Sequence, residues 1–196
     1  MHKHGEIIWS FANGIDVSEV LAEPEANKGY GNSTTIAFDV TDSGTAKQVL
    51  LALAETVAAR LRADEVKIGV VAVSIRNYRL ETWGHQITLG AATDITGEIW
   101  QAACRAFDEA WDGVPIRHLG IHTMKVSKEK NRQIGLFDPV DYEKLERLDR
   151  TIDTIRKRYG NDAVMRASFL VGEIDHMSGG ISRERRSVDY RTEKLD

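Results

Sequence analysis

The side chains best placed for chemistry in this sequence form three small groups. His118 and His122 stand four residues apart with Gly120 between them, and on a strand such spacing puts both rings on one face. Two imidazoles are half a metal site, and no Cys, Asp or Glu close in sequence completes it, so polar surface or phosphate contact is the stronger reading. Ser74 and Arg76 alternate with Val73 and Ile75, and Arg79 and Thr82 flank the turn that follows. Short hydroxyls and guanidinium groups suit phosphate oxygens. The third group is Gln133-Ile-Gly-Leu-Phe137, between the charged run Lys128-Glu-Lys-Asn-Arg132 and Asp138-Pro139. A loop that exposes adjacent Leu136 and Phe137 is costly unless a partner pocket takes them or they fold back on the next helix. No nucleophile–base pair, phosphate-cradling glycine loop or metal cluster stands out, which leaves a small enzyme poorly supported.

These groups must be held by regular elements. The spacing predicts helices over Ser43–Leu61, with Ala46, Val49, Leu50, Leu53, Val57 and Leu61 on one stripe, and over Thr96–Trp111, with Ile99, Ala103, Phe107 and Trp111. A third helix is predicted over Tyr142–Tyr159, capped by Asp141, ended by Gly160 and lined by Leu145, Leu148, Ile152, Ile155 and Tyr159. Strands are predicted over Thr34–Val40, Val66–Arg79, Glu81–Leu89 and Ile116–Val126, the middle two as a hairpin. Strand, helix, strand, strand, helix, strand, then a further helix reads as an α+β fold: a four-stranded antiparallel sheet with two helices on one face. The other sheet face is left open.

The chain has 196 residues, 26 of them basic and 30 acidic, for a net charge of −4. An acidic balance argues against a general polyanion binder. Sorted by element the charge says otherwise: residues 66–93 carry +2 and 114–140 carry +3, against −4 over 1–40 and −4 over 94–113. Basic strands and acidic helices would gather cations on the open face, where a phosphate backbone is the expected partner. No stretch approaches the roughly 18 apolar residues of a membrane span, and the N-terminus does not read as a signal peptide. The single Cys104 excludes an internal disulfide framework and fits a reducing cytoplasm.

Several phrases resemble one family in order and spacing, from about Trp9 to Leu170. Trp9 and Phe11-Ala-Asn-Gly-Ile-Asp16 are similar to the end of the thumb domain of Y-family lesion-bypass DNA polymerases. Lys28-Gly-Tyr-Gly-Asn-Ser-Thr-Thr35 resembles the segment leading into their C-terminal little finger domain, and Val73-Ser-Ile-Arg-Asn-Tyr-Arg79 its second strand. Phe107-Asp-Glu-Ala-Trp-Asp-Gly113 and Ile116-Arg-His-Leu-Gly-Ile121 resemble its second helix and last strand. Ile155-Arg-Lys-Arg-Tyr-Gly-Asn-Asp-Ala-Val164, with Arg166-Ala-Ser168, is similar to the bacterial DNA polymerase IV and ImpB/MucB/SamB branch.

The resemblance implies a division into a thumb end (1–18), a linker (19–31), a little finger (32–127), a clamp-binding loop (128–140), a C-terminal helix with a short strand (141–170) and a mobile tail (171–196). It implies that the domain lies in the major groove of duplex or primer-template DNA and grips phosphates through Lys28, Ser33, Thr34, Thr35, Ser74, Arg76, Arg79, Thr82, Arg117, His118 and His122. Gln133, Leu136 and Phe137 resemble a bacterial sliding-clamp-binding motif, the two apolar residues as anchors and the amide as an orienting group. The resemblance puts polymerase chemistry, with its Mg2+, in a palm domain upstream of the matched region, so this chain alone is expected to need no cofactor and to make no DNA. The implied setting is cytoplasmic, at the nucleoid. An RNA-recognition module shares the strand–helix order, but the central strands offer Val73, Ile75, Leu119 and Ile121 rather than paired aromatics.

Overall fold

A computed structural model describes residues 3–17, 27–129, 132, 138–170 and 174–177. Helix α1 spans Lys3–Ala12, β1 Gly31–Val40, α2 Ser43–Ala63, β2 Lys67–Asn77, β3 Thr82–Thr93, α3 Thr96–Ala110, β4 Ile116–Ser127 and α4 Tyr142–Tyr159. The four strands form one antiparallel sheet in the order β1-β4-β2-β3, so the strands carrying Ser74, Arg76, Arg117, His118 and His122 are its centre.

Local chemistry accounts for the boundaries. Asp42 caps α2 by accepting from the Thr45 N–H at 2.8 Å, which holds its carboxyl below the usual range. The β2–β3 turn is built by Asn77, whose Oδ1 accepts from the Arg79 and Glu81 N–H groups while its Nδ2 donates to Glu81 Oε2. That turn fixes the register that sets Arg76 opposite Thr82 and Ser74 opposite Gly84.

Helices α2 and α3 cover one sheet face. Leu50, Leu53, Val57 and Leu61 of α2, with Ile99 and Phe107 of α3, pack on Ile68, Val71, Val73, Ile75, Leu119 and Ile121. Phe107 stacks on Trp111 at 5.2 Å between ring centroids. The indole N–H groups of Trp83, Trp100 and Trp111 donate to the carbonyls of Ala110, Lys47 and Val114, each at 2.9 Å, which lets these half-buried rings serve as packing residues.

Three expectations change. The N-terminal segment, where the spacing predicts no element, holds helix α1, with Ile7, Ile8, Trp9 and Phe11 all about half exposed or more. Among the described residues no strand follows α4. Residues 160–170 form two 3-10 turns, Asn161–Ala163 and Ala167–Phe169, because side-chain ties set the path of the chain: Arg166 bonds Glu55, and Phe169 is buried in the core. The third change concerns α4 itself. Its buried residues are Asp149 and Arg156, whereas Leu148 and Tyr159 of the predicted apolar stripe are exposed.

The reason is a polar interface. Arg62 of α2 forks onto Asp153 at 2.5 and 2.9 Å and reaches Asp149 at 3.2 Å, while Asp149 also accepts the Thr96 N–H at 2.8 Å. Glu55 of α2 receives Arg156 at 3.2 Å and Arg166 at 2.8 Å, and Lys67 of β2 reaches Glu146 at 2.7 Å. Docking therefore buries the charged side of α4, where each buried ion keeps a partner.

Candidate nucleic-acid interface

The sheet face away from α2 and α3 is assembled by register. Across the four strands, Thr35, His118, Arg76 and Thr82 form one row; Ser33, Gly120, Ser74 and Gly84 form the next; Gly31, His122, Ala72 and Gln86 form a third. None of these positions is acidic, and most are small or polar. The middle row is the lowest ground. A Cβ on Gly120 would lie 2.6 Å from Ser74 Oγ and 3.0 Å from Ser33 Cβ, so only glycine leaves that path clear. A smooth polar trough flanked by imidazole and guanidinium groups suits a backbone of phosphates, because hydroxyls, main-chain groups and cations can all reach it closely.

Hydrogen bonds on the face are sparse. Thr35 Oγ1 lies 3.0 Å from His118 Nδ1, and Ser74 Oγ lies 3.5 Å from His122 Nε2. Partial burial holds His118 below the ordinary imidazole range, with smaller contributions from Arg76 and His122. Arg76 has no ion pair among the described residues. The two histidines do not converge, since four strand residues span about 13 Å. No group of three His, Cys, Asp or Glu side chains gathers to hold a metal among the described residues.

The face is built by some of the expected residues and not by others. Ser33, Thr35, Ser74, Arg76, Thr82, His118 and His122 share it. Thr34 does not, because its partner is Leu119, which points its side chain to the helix side. Arg117 precedes His118, out of alternation with the face, beside an irregularity in the β2–β4 pairing where Ile116 is buried, and it bonds Asp39 at 3.1 Å. Arg79 sits on the hairpin turn, its Nε donating to the Tyr78 hydroxyl at 2.9 Å, and Lys28 is exposed just before β1. The segmental charge count overstated the cations available: Lys67 is bound to Glu146, Arg117 to Asp39 and Arg132 to Glu98. Gly31, Ala72, Gly84 and Gln86 join the face without having been singled out. The alternation of Trp83, Ile87 and Leu89 toward the helices was the signal that could have found Gly84 and Gln86. Val73, Ile75, Leu119 and Ile121 are buried beneath the helices, and the open rows offer no Phe, Tyr or Trp for base stacking.

The impB/mucB/samB family C-terminal domain matches residues 27–136, which takes in the whole sheet together with α2 and α3. The chain belongs to that family. DNA polymerase IV of Clostridium acetobutylicum is 34% identical over 170 residues, covering 87% of this chain and 43% of that protein. DNA polymerase IV of Acetivibrio thermocellus is 37% identical over 174 residues, covering 86% and 43%. The chain thus spans less than half the length of these relatives. A solved complex of a beta-clamp processivity factor and the little finger domain of PolIV aligns at 18% identity with a TM-score of 0.42, over 56% of this chain and 98% of that one.

Gln133, Leu136 and Phe137 lie outside the described residues, but the residues on either side of that segment are defined. Arg132 donates to both carboxylate oxygens of Glu98, at 2.7 and 2.6 Å, and its guanidinium carbon lies 3.6 Å from the centre of the Tyr142 ring. The Tyr142 hydroxyl donates to Asp138 Oδ2 at 2.6 Å.

Proposed function

We propose that this chain is the C-terminal, DNA-holding portion of a Y-family polymerase that acts in translesion synthesis and repair. Its open sheet face lies along duplex or primer-template phosphates in the major groove. The observation that carries the reading is the register that lines up Thr35, His118, Arg76 and Thr82 beside Ser33, Gly120, Ser74 and Gly84, with no acidic side chain in either row. Such a surface holds a backbone without reading bases. The family membership, and relatives named DNA polymerase IV, support a DNA partner.

Nucleotidyl transfer, and the Mg2+ it needs, belong in this reading to the part of the relatives' length that this chain does not span. The contribution here is positional: a weak hold on duplex, with tethering supplying effective concentration. Gln133, Leu136 and Phe137 are proposed as the contact with a bacterial sliding clamp, the apolar pair entering a pocket on the partner. Their sequence pattern supports this.

Direct binding to a fluorescent duplex at low salt tests the DNA reading. Arg76→Ala/Arg79→Ala is expected to weaken binding at least several-fold, and unchanged affinity would overturn it. A peptide spanning Arg132 to Val140 tests the second contact; no response on addition of a bacterial clamp rejects it.

A further inference from the structure

Helix α4 divides its charges by side. Its acids Glu146, Asp149 and Asp153 meet the domain, where Lys67 and Arg62 neutralise them. Arg156 is turned the same way, onto Glu55. The other five cations of the helix, Lys144, Arg147, Arg150, Lys157 and Arg158, are exposed, against one exposed acid, Glu143. None of these cations has an ion pair among the described residues; the Arg158 guanidinium carbon lies 5.2 Å from the centre of the Tyr159 ring. Lys144, Arg147, Thr151, Thr154 and Arg158 recur at steps of three and four, so they form one line along the outer side, about 21 Å from end to end. Both threonine hydroxyls turn back on their own helix, donating to the Arg147 and Arg150 carbonyls at 2.8 Å, which keeps the line low between its cations.

Helix stability does not account for this placement. Lys144 stands in the first turn, where the helix dipole favours acids. Arg147 lies three residues from both Lys144 and Arg150, so like charges are neighbours on the helix surface. A bound polyanion relieves both costs. The docking ion pairs, from Glu146 to Arg156, hold the line in place. They attach α4 to α2, which covers the other side of the sheet, so the line and the open sheet face are separate surfaces.

We propose that the outer side of α4 is a second contact for the phosphates of duplex DNA, separate from the sheet face. The inference deepens the DNA-holding reading and rests on it. Unpaired cations along a straight line of this length suit a run of phosphates. The line holds no aromatic ring, so it offers no platform for unstacked bases, and a duplex rather than a single strand is its occupant. An apolar hollow lined by Val140, Leu145 and Leu148 borders only the first turns of the helix. The cations continue to Arg158, about two turns further on, so it is charge that runs the length of the outer side.

The test is binding of the full chain to a fluorescent duplex, with affinity followed across a salt series. Lys144→Gln/Arg147→Gln/Arg158→Gln removes three cations from exposed positions and keeps good helix formers there. It should weaken binding at low salt by about fivefold or more, and flatten the slope of log affinity against log salt by about two to three. Thr151→Lys/Thr154→Lys adds cations to the same line and should tighten binding and steepen the slope, a gain that misfolding cannot produce. Affinity and slope unchanged in the triple variant, while Arg76→Ala weakens binding, overturn the second contact and leave the sheet-face reading standing. No duplex binding by the wild-type chain overturns the DNA-holding reading, and this inference with it. Polyglutamate that displaces the duplex at equal charge concentration marks the line as a surface for acidic protein and likewise overturns the proposal.

Discussion

Ser74 and Gly120 face each other across the two central strands, and the space between them is smaller than a methyl group: a Cβ on Gly120 would sit 2.6 Å from Ser74 Oγ. The middle of the open sheet face is therefore kept low by one absent side chain. Gly120→Ala should raise it, weaken duplex binding, and cost about 1–3 kcal/mol of stability through overpacking. Adding Ser74→Gly should restore part of both losses. Urea denaturation and duplex titration of the single and double variants check this, and an additive pair would show that the two positions do not share the space.

Arg76 should account for about one phosphate contact. Its replacement by Ala should flatten the dependence of log affinity on log salt by about 0.9. Arg117→Ala should have much less effect, because that guanidinium is already bound to Asp39. Binding isotherms between 50 and 200 mM salt, about a fourfold range, separate the two.

Duplex binding is expected to depend on pH through His118. Burial, then Arg76 and His122, hold its folded-state value below the ordinary 6.5. The unfolded chain therefore takes up this proton first as pH falls, so the stability contribution is complete above about 6.5 and is lost as pH drops through the folded-state value. Phosphate beside the ring favours the charged form, so duplex affinity should rise over the same descending range with uptake of a proton. Titrations from pH 8 to pH 5.5 check it, about the span over which an imidazole changes charge. His118→Gln should flatten the profile, and Arg76→Ala should shift the ring's titration upward in NMR.

The buried Glu55 holds two arginines from the C-terminal segment, its own side chain only 4% exposed. Glu55→Ala would leave the buried Arg156 without its counter-ion, at a cost of about 3–5 kcal/mol. The loss should be local. Hydrogen exchange should show α4 and residues 161–170 losing protection while the central strands keep theirs.

Cys104 is expected to be inert. Burial pushes its thiol up to about 11, leaving little thiolate at neutral pH. A thiol reagent at pH 8 should label it slowly in the folded chain and rapidly in denaturant, a comparison read by mass spectrometry.

Much of the fold was legible because its signals are local. The stripe Leu50, Leu53, Val57, Leu61 repeats with the helical period, and Val71, Val73, Ile75 with the strand period, so each element shows its buried side within a few residues. The same alternation sets Ser74 with Arg76 on one side of their strand and His118 with His122 on one side of theirs. Family phrases around Lys28, Ser74 and Leu119 added the identity of the domain. The exceptions are instructive: Thr34 was grouped with its neighbours Ser33 and Thr35, although alternation alone turns it the other way.

What only the tertiary structure decided concerns partners far apart in sequence. The order β1-β4-β2-β3 rests on β1–β4 and β2–β4 pairings between residues far apart in sequence, such as Gly31 with His122 and Ser74 with Gly120, and it turned separate hydroxyls and glycines into rows. An irregular pairing near Ile116 cannot be read from alternation; it accompanies the burial of Ile116, while Arg117 beside it is bound to Asp39. Charge counts by segment could not say which cations were already bound. Lys67, Arg117 and Arg132 each meet an acid on another element, and that leaves Arg76 as the cation central to the face. For α4 the period was right and Leu145, Ile152 and Ile155 are half-buried, but the covered side is turned from Leu148 and Tyr159 toward Asp149 and Arg156, because Arg62 and Glu55 offered it charges to bury. Hydrophobic period specifies a helix and its stripe; the surface it meets decides which side is covered.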